Sequence, residues 1–209
     1  MLITRITLRV ITGYLTLEYI IIRKLIFVNL WSERREHFKI SISPTMNNAL
    51  HLRYVSGGPN YNWRPGVNAS LSYHFKTDNK INFAVGLTYQ NATVQVDPFI
   101  TPQDDPPPFN ESINLLALNV GAYYNFNKGY FASIDPLIHF QIDYHDDNSI
   151  SNQTGIGISG GIGKKLNFKS NMSISIEPKI WIYNLIPFQE ESLPLRLTVA
   201  GLNIGLNFK

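Results

Sequence analysis

The sequence predicts an all-β protein: an eight-stranded antiparallel up-and-down transmembrane β-barrel. Three observations predict it. Long runs alternate apolar and polar residues with a period of two, the period of a strand. The connections between runs are alternately short and long. Aromatic residues gather near the ends of the runs, as they do at the two faces of a bilayer.

The clearest unit is a hairpin. In Ser112–Phe126, Leu116, Leu118, Val120, Ala122 and Tyr124 share one face, and Asn119, Gly121, Tyr123 and Asn125 the other. After the turn Asn127-Lys128-Gly129, the run Tyr130–Tyr144 repeats the pattern, with Ile134, Ile138 and Phe140 opposite Ser133, Asp135, His139, Gln141 and Asp143. Short Asn/Gly turns between alternating runs mark hairpins.

The first barrel strand starts at Phe38 and continues towards Leu52, with Phe38, Ile40 and Ile42 on one face. A second follows the Gly/Pro/Asn-rich stretch 56–63 and carries Val67, Ala69, Leu71, Tyr73 and Phe75. The polar turn 76–80 leads into a third, with Ile81, Phe83, Val85, Leu87 and Tyr89. Its phase slips near Asn91–Val94, where a bulge is expected. The stretch 97–110 holds five prolines and is read as a loop. Beyond the central hairpin, 145–153 is a polar loop. Ile156, Ile158 and Ile162 mark the sixth strand, Met172 to Ile182 the seventh, and Leu195 onward the eighth. The long connections therefore lie at one end of the barrel and the tight turns at the other.

Two assignments of inside and outside compete. A soluble barrel would turn its apolar face inward, around side chains or an apolar ligand, as in a lipocalin. The polar face would then meet water. It carries few Lys and Glu residues and is crowded with glycine, including Gly121, Gly161 and Gly205, which suits a cramped interior better. Strands of ten or more residues match the roughly nine to eleven that cross a bilayer at a tilt. The apolar face is assigned to lipid, and closure is required because lipid leaves no backbone group solvated.

Residues 1–37 form an N-terminal extension and 38–209 the barrel. The extension has six basic and three acidic groups, the body twelve of each, so the net charge of +3 comes from the extension. A balanced body argues against nucleic acid as a partner. No uninterrupted apolar run in the extension reaches the ~20 residues of a spanning helix. Three readings stand for it: a degenerate export signal, which is preferred, a membrane-surface helix, or an additional hairpin. The chain has no cysteine, which excludes disulfides and cysteine-based metal sites.

The last residues, Leu202–Lys209, alternate and carry a near-terminal Phe208. They resemble the C-terminal signal read by the outer-membrane barrel assembly machinery, although Lys209 follows the aromatic. Together with Gly121–Phe126 (GAYYNF) and the Pro-containing seventh strand Ile176–Tyr183 (IEPKIWIY), the hairpin layout of 38–209 is similar to the PorT-like outer-membrane β-barrel proteins of Bacteroidetes. The resemblance implies an outer membrane of a Gram-negative bacterium as location, and membrane lipid, the assembly machinery and other envelope proteins as partners.

Candidate functional residues fall into two groups. His74, Asp135, His139, Asp143, Glu177 and Lys179, with Lys39, are expected to face the lumen as a polar network. An eight-stranded lumen is too narrow for an open aqueous channel, so charges there must pair. Phe99, Ile100 and Phe109 in the proline-rich loop are candidate partner anchors. His145-Asp146-Asp147 is the best lead for catalysis, since a histidine beside carboxylates can activate water, but no nucleophile or complete ligand set accompanies it. The expected function is structural or interactive: an envelope anchor whose loops contact partners, with no enzyme activity and no cofactor. A small-solute or ion pore and a soluble lipocalin-like barrel are the alternatives.

Overall fold

The computed structural model describes residues 37–51, 58–76, 80–98, 106–145, 148–168, 172–189 and 194–208. Eight strands follow one another: β1 (His37–His51), β2 (Asn60–Lys76), β3 (Ile81–Asp97), β4 (Phe109–Asn125), β5 (Tyr130–Gln141), β6 (Gly155–Asn167), β7 (Met172–Pro187) and β8 (Leu195–Phe208). Each pairs antiparallel with its neighbour, and β1 pairs with β8 to close the barrel. In the tight turn between β4 and β5, Lys128 and Gly129 have φ of 64° and 80°, a left-handed conformation in which glycine costs least. The extension assigned to 1–37 lies outside the described residues except for His37, which opens β1.

The apolar rows point outward. Ile40, Val120, Ile134 and Ile162 are 55%, 58%, 52% and 67% exposed, while Lys39, Ser41, Ser43 and Ser133 are buried. This overturns the lipocalin-like alternative, because no apolar pocket is formed by those rows. A wall of this size that excludes polar groups belongs in hydrocarbon.

Several strands have up to 17 residues, and about nine to eleven suffice to cross. The excess explains the expected phase slip near Asn91. β3 keeps its alternation without a break as far as Asp97. What changes is polarity. Its outward row runs Ile81, Phe83, Val85, Leu87, Tyr89 and then Asn91, Thr93, Gln95, Asp97; its inward row runs Ala84, Gly86, Thr88, Gln90 and then Ala92, Val94, Val96. β4 inverts at the same level, with Leu116 outward opposite Tyr89, Asn114 outward opposite Asn91, and Leu115 and Ile113 inside. The irregularity lies on β2, where the register against β3 shifts between Trp63 and Val67. On β3 and β4 the long-loop end thus has an apolar inner row and a polar outer row, as a strand of a water-soluble barrel does.

Not every aromatic near a strand end faces the bilayer. Trp181 and Tyr183 are buried inside with Val94, Ile113, Leu115, Leu197 and Val199. Phe131 is likewise buried, in contact with Ala84 and Tyr123 at the short-turn end. Trp63 and Tyr89 face outward, as do Phe38, Tyr124, Phe126 and Tyr130 nearer the short turns.

Candidate functional site

The lumen near the middle of the barrel holds four charged side chains that cancel. Lys39 comes from β1, Asp135 from β5, and Glu177 and Lys179 from β7. All are buried. Lys179 Nζ is paired with Asp135 Oδ2 and lies 3.8 Å from Glu177 Oε1. Lys39 Nζ lies 3.5 Å from Glu177 Oε2. Hydroxyls and amides complete the shell: Ser133 Oγ donates to Glu177 Oε1, Asn203 Nδ2 donates to Glu177 Oε2 at 3.1 Å, and Ser159 Oγ donates to Asp135 Oδ2 at 3.2 Å. Charges withdrawn from water keep their ionised forms only when paired and hydrogen-bonded in this way. Glycine makes the room. A Cβ at Gly121 would strike the Asp135 carboxylate, and one at Gly205 the Lys39 stem.

Towards the long-loop end the lumen is stopped by an apolar cluster and by a folded-in loop. The loop before β6, read from sequence as a polar surface loop, turns into the barrel at residues 148–153. Ile150 and Gln153 are buried. Glu111 accepts the backbone N–H groups of Ser149 and Ile150 at 3.0 and 3.2 Å. Gln153 accepts the Leu197 N–H at 2.9 Å and donates to the Leu195 carbonyl at 3.1 Å, so its amide stands in for a strand partner.

Of the predicted lumen residues, Asp135, Glu177 and Lys179 come together with Lys39. His139 sits apart, in the apolar half, with its Nε2 accepting the Asn184 N–H at 3.0 Å and its ring 5.1 Å from that of Tyr183. His74 is on the inner row of β2 nearer the short turns, its ring 4.9 Å from Tyr123. Asp143 does not join the lumen network: it lies beyond the end of β5 and accepts from Asn114 N and Nδ2 at 3.0 and 2.6 Å, on the outward row of β4. Phe99 and Ile100 lie outside the described residues; Phe109 opens β4 and is exposed. His145 is exposed, and Asp146 and Asp147 lie outside the described residues. Ser133, Asn203 and Gln153 carry the site without having been singled out by sequence. Their only signal was strand parity, or, for Gln153, the lone Ile150 in a polar loop.

A closed eight-stranded antiparallel barrel with an apolar outer wall and a polar, charge-paired lumen defines an outer-membrane β-barrel protein of a Gram-negative bacterium. Residues 55–209 match the family of the type IX secretion system membrane protein PorP/SprF, and the chain belongs to that family. The PorT-like resemblance reaches the level of the small outer-membrane barrel; the family matched is PorP/SprF. No curated protein sequence matches the chain. Among solved structures it is similar to the outer membrane protein OprG from Pseudomonas aeruginosa, at 11% identity over 83% of this chain and 94% of that one, with a TM-score of 0.49. Neisserial surface protein A is similar at 13% identity over 82% and 96%, with a TM-score of 0.41. Ail, the attachment invasion locus protein of Yersinia pestis, is similar at 12% over 83% and 99%, with a TM-score of 0.38.

Proposed function

We propose that this chain is a sealed, non-conducting barrel that serves a type IX secretion apparatus as a structural and interacting subunit in the outer membrane. The observation that carries this reading is the stopped lumen. The Lys39–Glu177–Lys179–Asp135 cluster fills the middle, and Ile150, Gln153 and the apolar cluster fill the long-loop half. A barrel that passes nothing and catalyses nothing acts through its surfaces. The long-loop end, including Phe109 and the proline-rich stretch with Phe99 and Ile100, contacts other envelope proteins. The wall contacts lipid, and β8 is presented to the barrel assembly machinery during insertion.

The test is electrical and biochemical. In planar bilayers the purified protein is expected to give no discrete conductance steps. Cross-linking in intact cells is expected to recover envelope proteins through the long-loop end, and to lose them when 98–108 is replaced by a Gly/Ser linker. Steady single-channel conductance would favour the pore instead. A linker variant that cross-links like the parent would remove the loop from the partner surface.

A further inference from the structure

The charges of the body divide by position along the barrel. The four buried charges of the lumen cancel. The short-turn stretches 76–80, 126–130 and 164–172 hold six lysines against Asp78 alone. The long-connection stretches 52–64, 97–111, 143–153 and 188–196 hold nine carboxylates against three arginines. In sequence the short-turn stretches carry a net charge of +5 and the long-connection stretches one of −6.

Lys164 indicates what the basic end meets. It pairs across the β5–β6 ladder with Tyr130 and stands in the outward row between Ile162 and Leu166, both exposed. Its ammonium lies 5.0 Å from the centre of the Tyr130 ring. A lysine in a lipid-facing row reaches along its stem to the headgroup level, where interfacial aromatics also sit. The anion met at that depth is a phospholipid phosphate. Lys80 and Lys128 are exposed on other connections of the same end, and the backbone beside each is tied to a neighbouring strand. Asn125 donates its backbone N–H to the Lys80 carbonyl at 2.6 Å and its side-chain amide to the same carbonyl at 3.2 Å. Gly129 is packed so closely on the Lys165 carbonyl that a Cβ there would lie 2.7 Å from it. Lys165 itself lines the mouth with Lys39 and His74, around a cavity of about 30 Å³ that no carboxylate lines among the described residues.

We propose that the short-turn rim is a binding surface for anionic phospholipid headgroups, with Lys80, Lys128 and Lys164 as the phosphate-binding side chains. The acidic far end is repelled by the same headgroups, so the charge division fixes which way the barrel faces as well as how deep it sits.

The full chain is reconstituted in vesicles of equimolar phosphatidylcholine and phosphatidylglycerol, extracted into mild detergent, and its retained phospholipid identified by native mass spectrometry. Phosphatidylglycerol is expected to be retained over phosphatidylcholine by about tenfold, the scale set by a few lysines at an anionic surface. K80Q/K128Q/K164Q is expected to bring the two lipids to parity while keeping the heat-sensitive gel mobility of a folded barrel. D97N, at the opposite end, is expected to keep the preference. Where the triple variant does not fold, K164Q alone is expected to lower the ratio about twofold. Equal retention by the parent protein, or an undiminished preference in a folded lysine variant, overturns the proposal. An acidic protein retained in place of the lipid overturns it too and assigns the rim to a protein partner.

Discussion

Glu177 holds the middle of the lumen together. Its two oxygens face two ammonium groups, a hydroxyl and an amide, and it is fully buried. Glu177→Ala leaves Lys39 without its carboxylate and Lys179 with Asp135 alone. The expected loss is about 3–5 kcal/mol, because an uncompensated charge remains buried. Urea unfolding in lipid vesicles measures it. Removing the opposite charge as well, in K39M/E177Q, is expected to recover more than half of that loss, since Lys179 and Asp135 stay paired. The participants were legible in the sequence, because parity alone puts Asp135, Glu177, Lys179 and Lys39 inside. The pairing was not, because it depends on the register between β5, β7 and β1. His139 was misgrouped for a related reason. Its partner is a backbone N–H at Asn184, where φ is 57°, and no side-chain pattern announces that.

The loop before β6 is the element the sequence concealed. Its polar composition reads as solvated, yet polar side chains are what a plug needs when it must satisfy strand ends rather than pack on them. Gln153 does so for Leu195 and Leu197. Gln153→Ala is expected to cost about 1–3 kcal/mol by leaving the buried Leu197 N–H without its acceptor, while the Leu195 carbonyl keeps Asn184 Nδ2 at 3.2 Å. It is also expected to expose the loop, read as faster proteolytic cleavage within 145–153 while the barrel remains intact on an unboiled gel. Strand existence was far more legible than loop conformation. Alternation is a repeated signal along every strand, whereas the inward fold of this loop rests on single hydrogen bonds of Ser151, Asn152 and Gln153 with Gln141, Asn184, Leu195 and Leu197, and on Glu111 near the start of β4.

At the scale of the whole molecule, the β3–β4 side of the barrel is two environments stacked end to end. The expected slip near Asn91 was the trace of this in the sequence: the period survives and the polarity reverses. Spin labels placed singly at Val85 and Leu87 are expected to collide with oxygen dissolved in lipid. Labels at Thr93 and Gln95 are expected to collide with a water-soluble nickel chelate. The crossover should fall between Tyr89 and Asn91. Lipid-like accessibility at all four positions would place the membrane boundary higher and leave the apolar interior of the long-loop end unexplained. Fold class was legible because the lipid-facing rows dominate the pattern. The extent of the projecting part was not, because its rows are shorter and less apolar.

Closure has a consequence for how the barrel comes into being. Seven of the eight strand pairings join neighbours in sequence, and the eighth joins β1 to β8, with Phe38 opposite Phe208. The seven can form as successive hairpins with modest entropy of ring closure, but the eighth must bring together segments separated by nearly the whole described chain. Until it forms, β1 and β8 each present a row of unpaired peptide groups that hydrocarbon does not solvate. Seam formation is therefore the slow, all-or-none event of assembly, and an unclosed sheet needs an escort until β8 reaches β1.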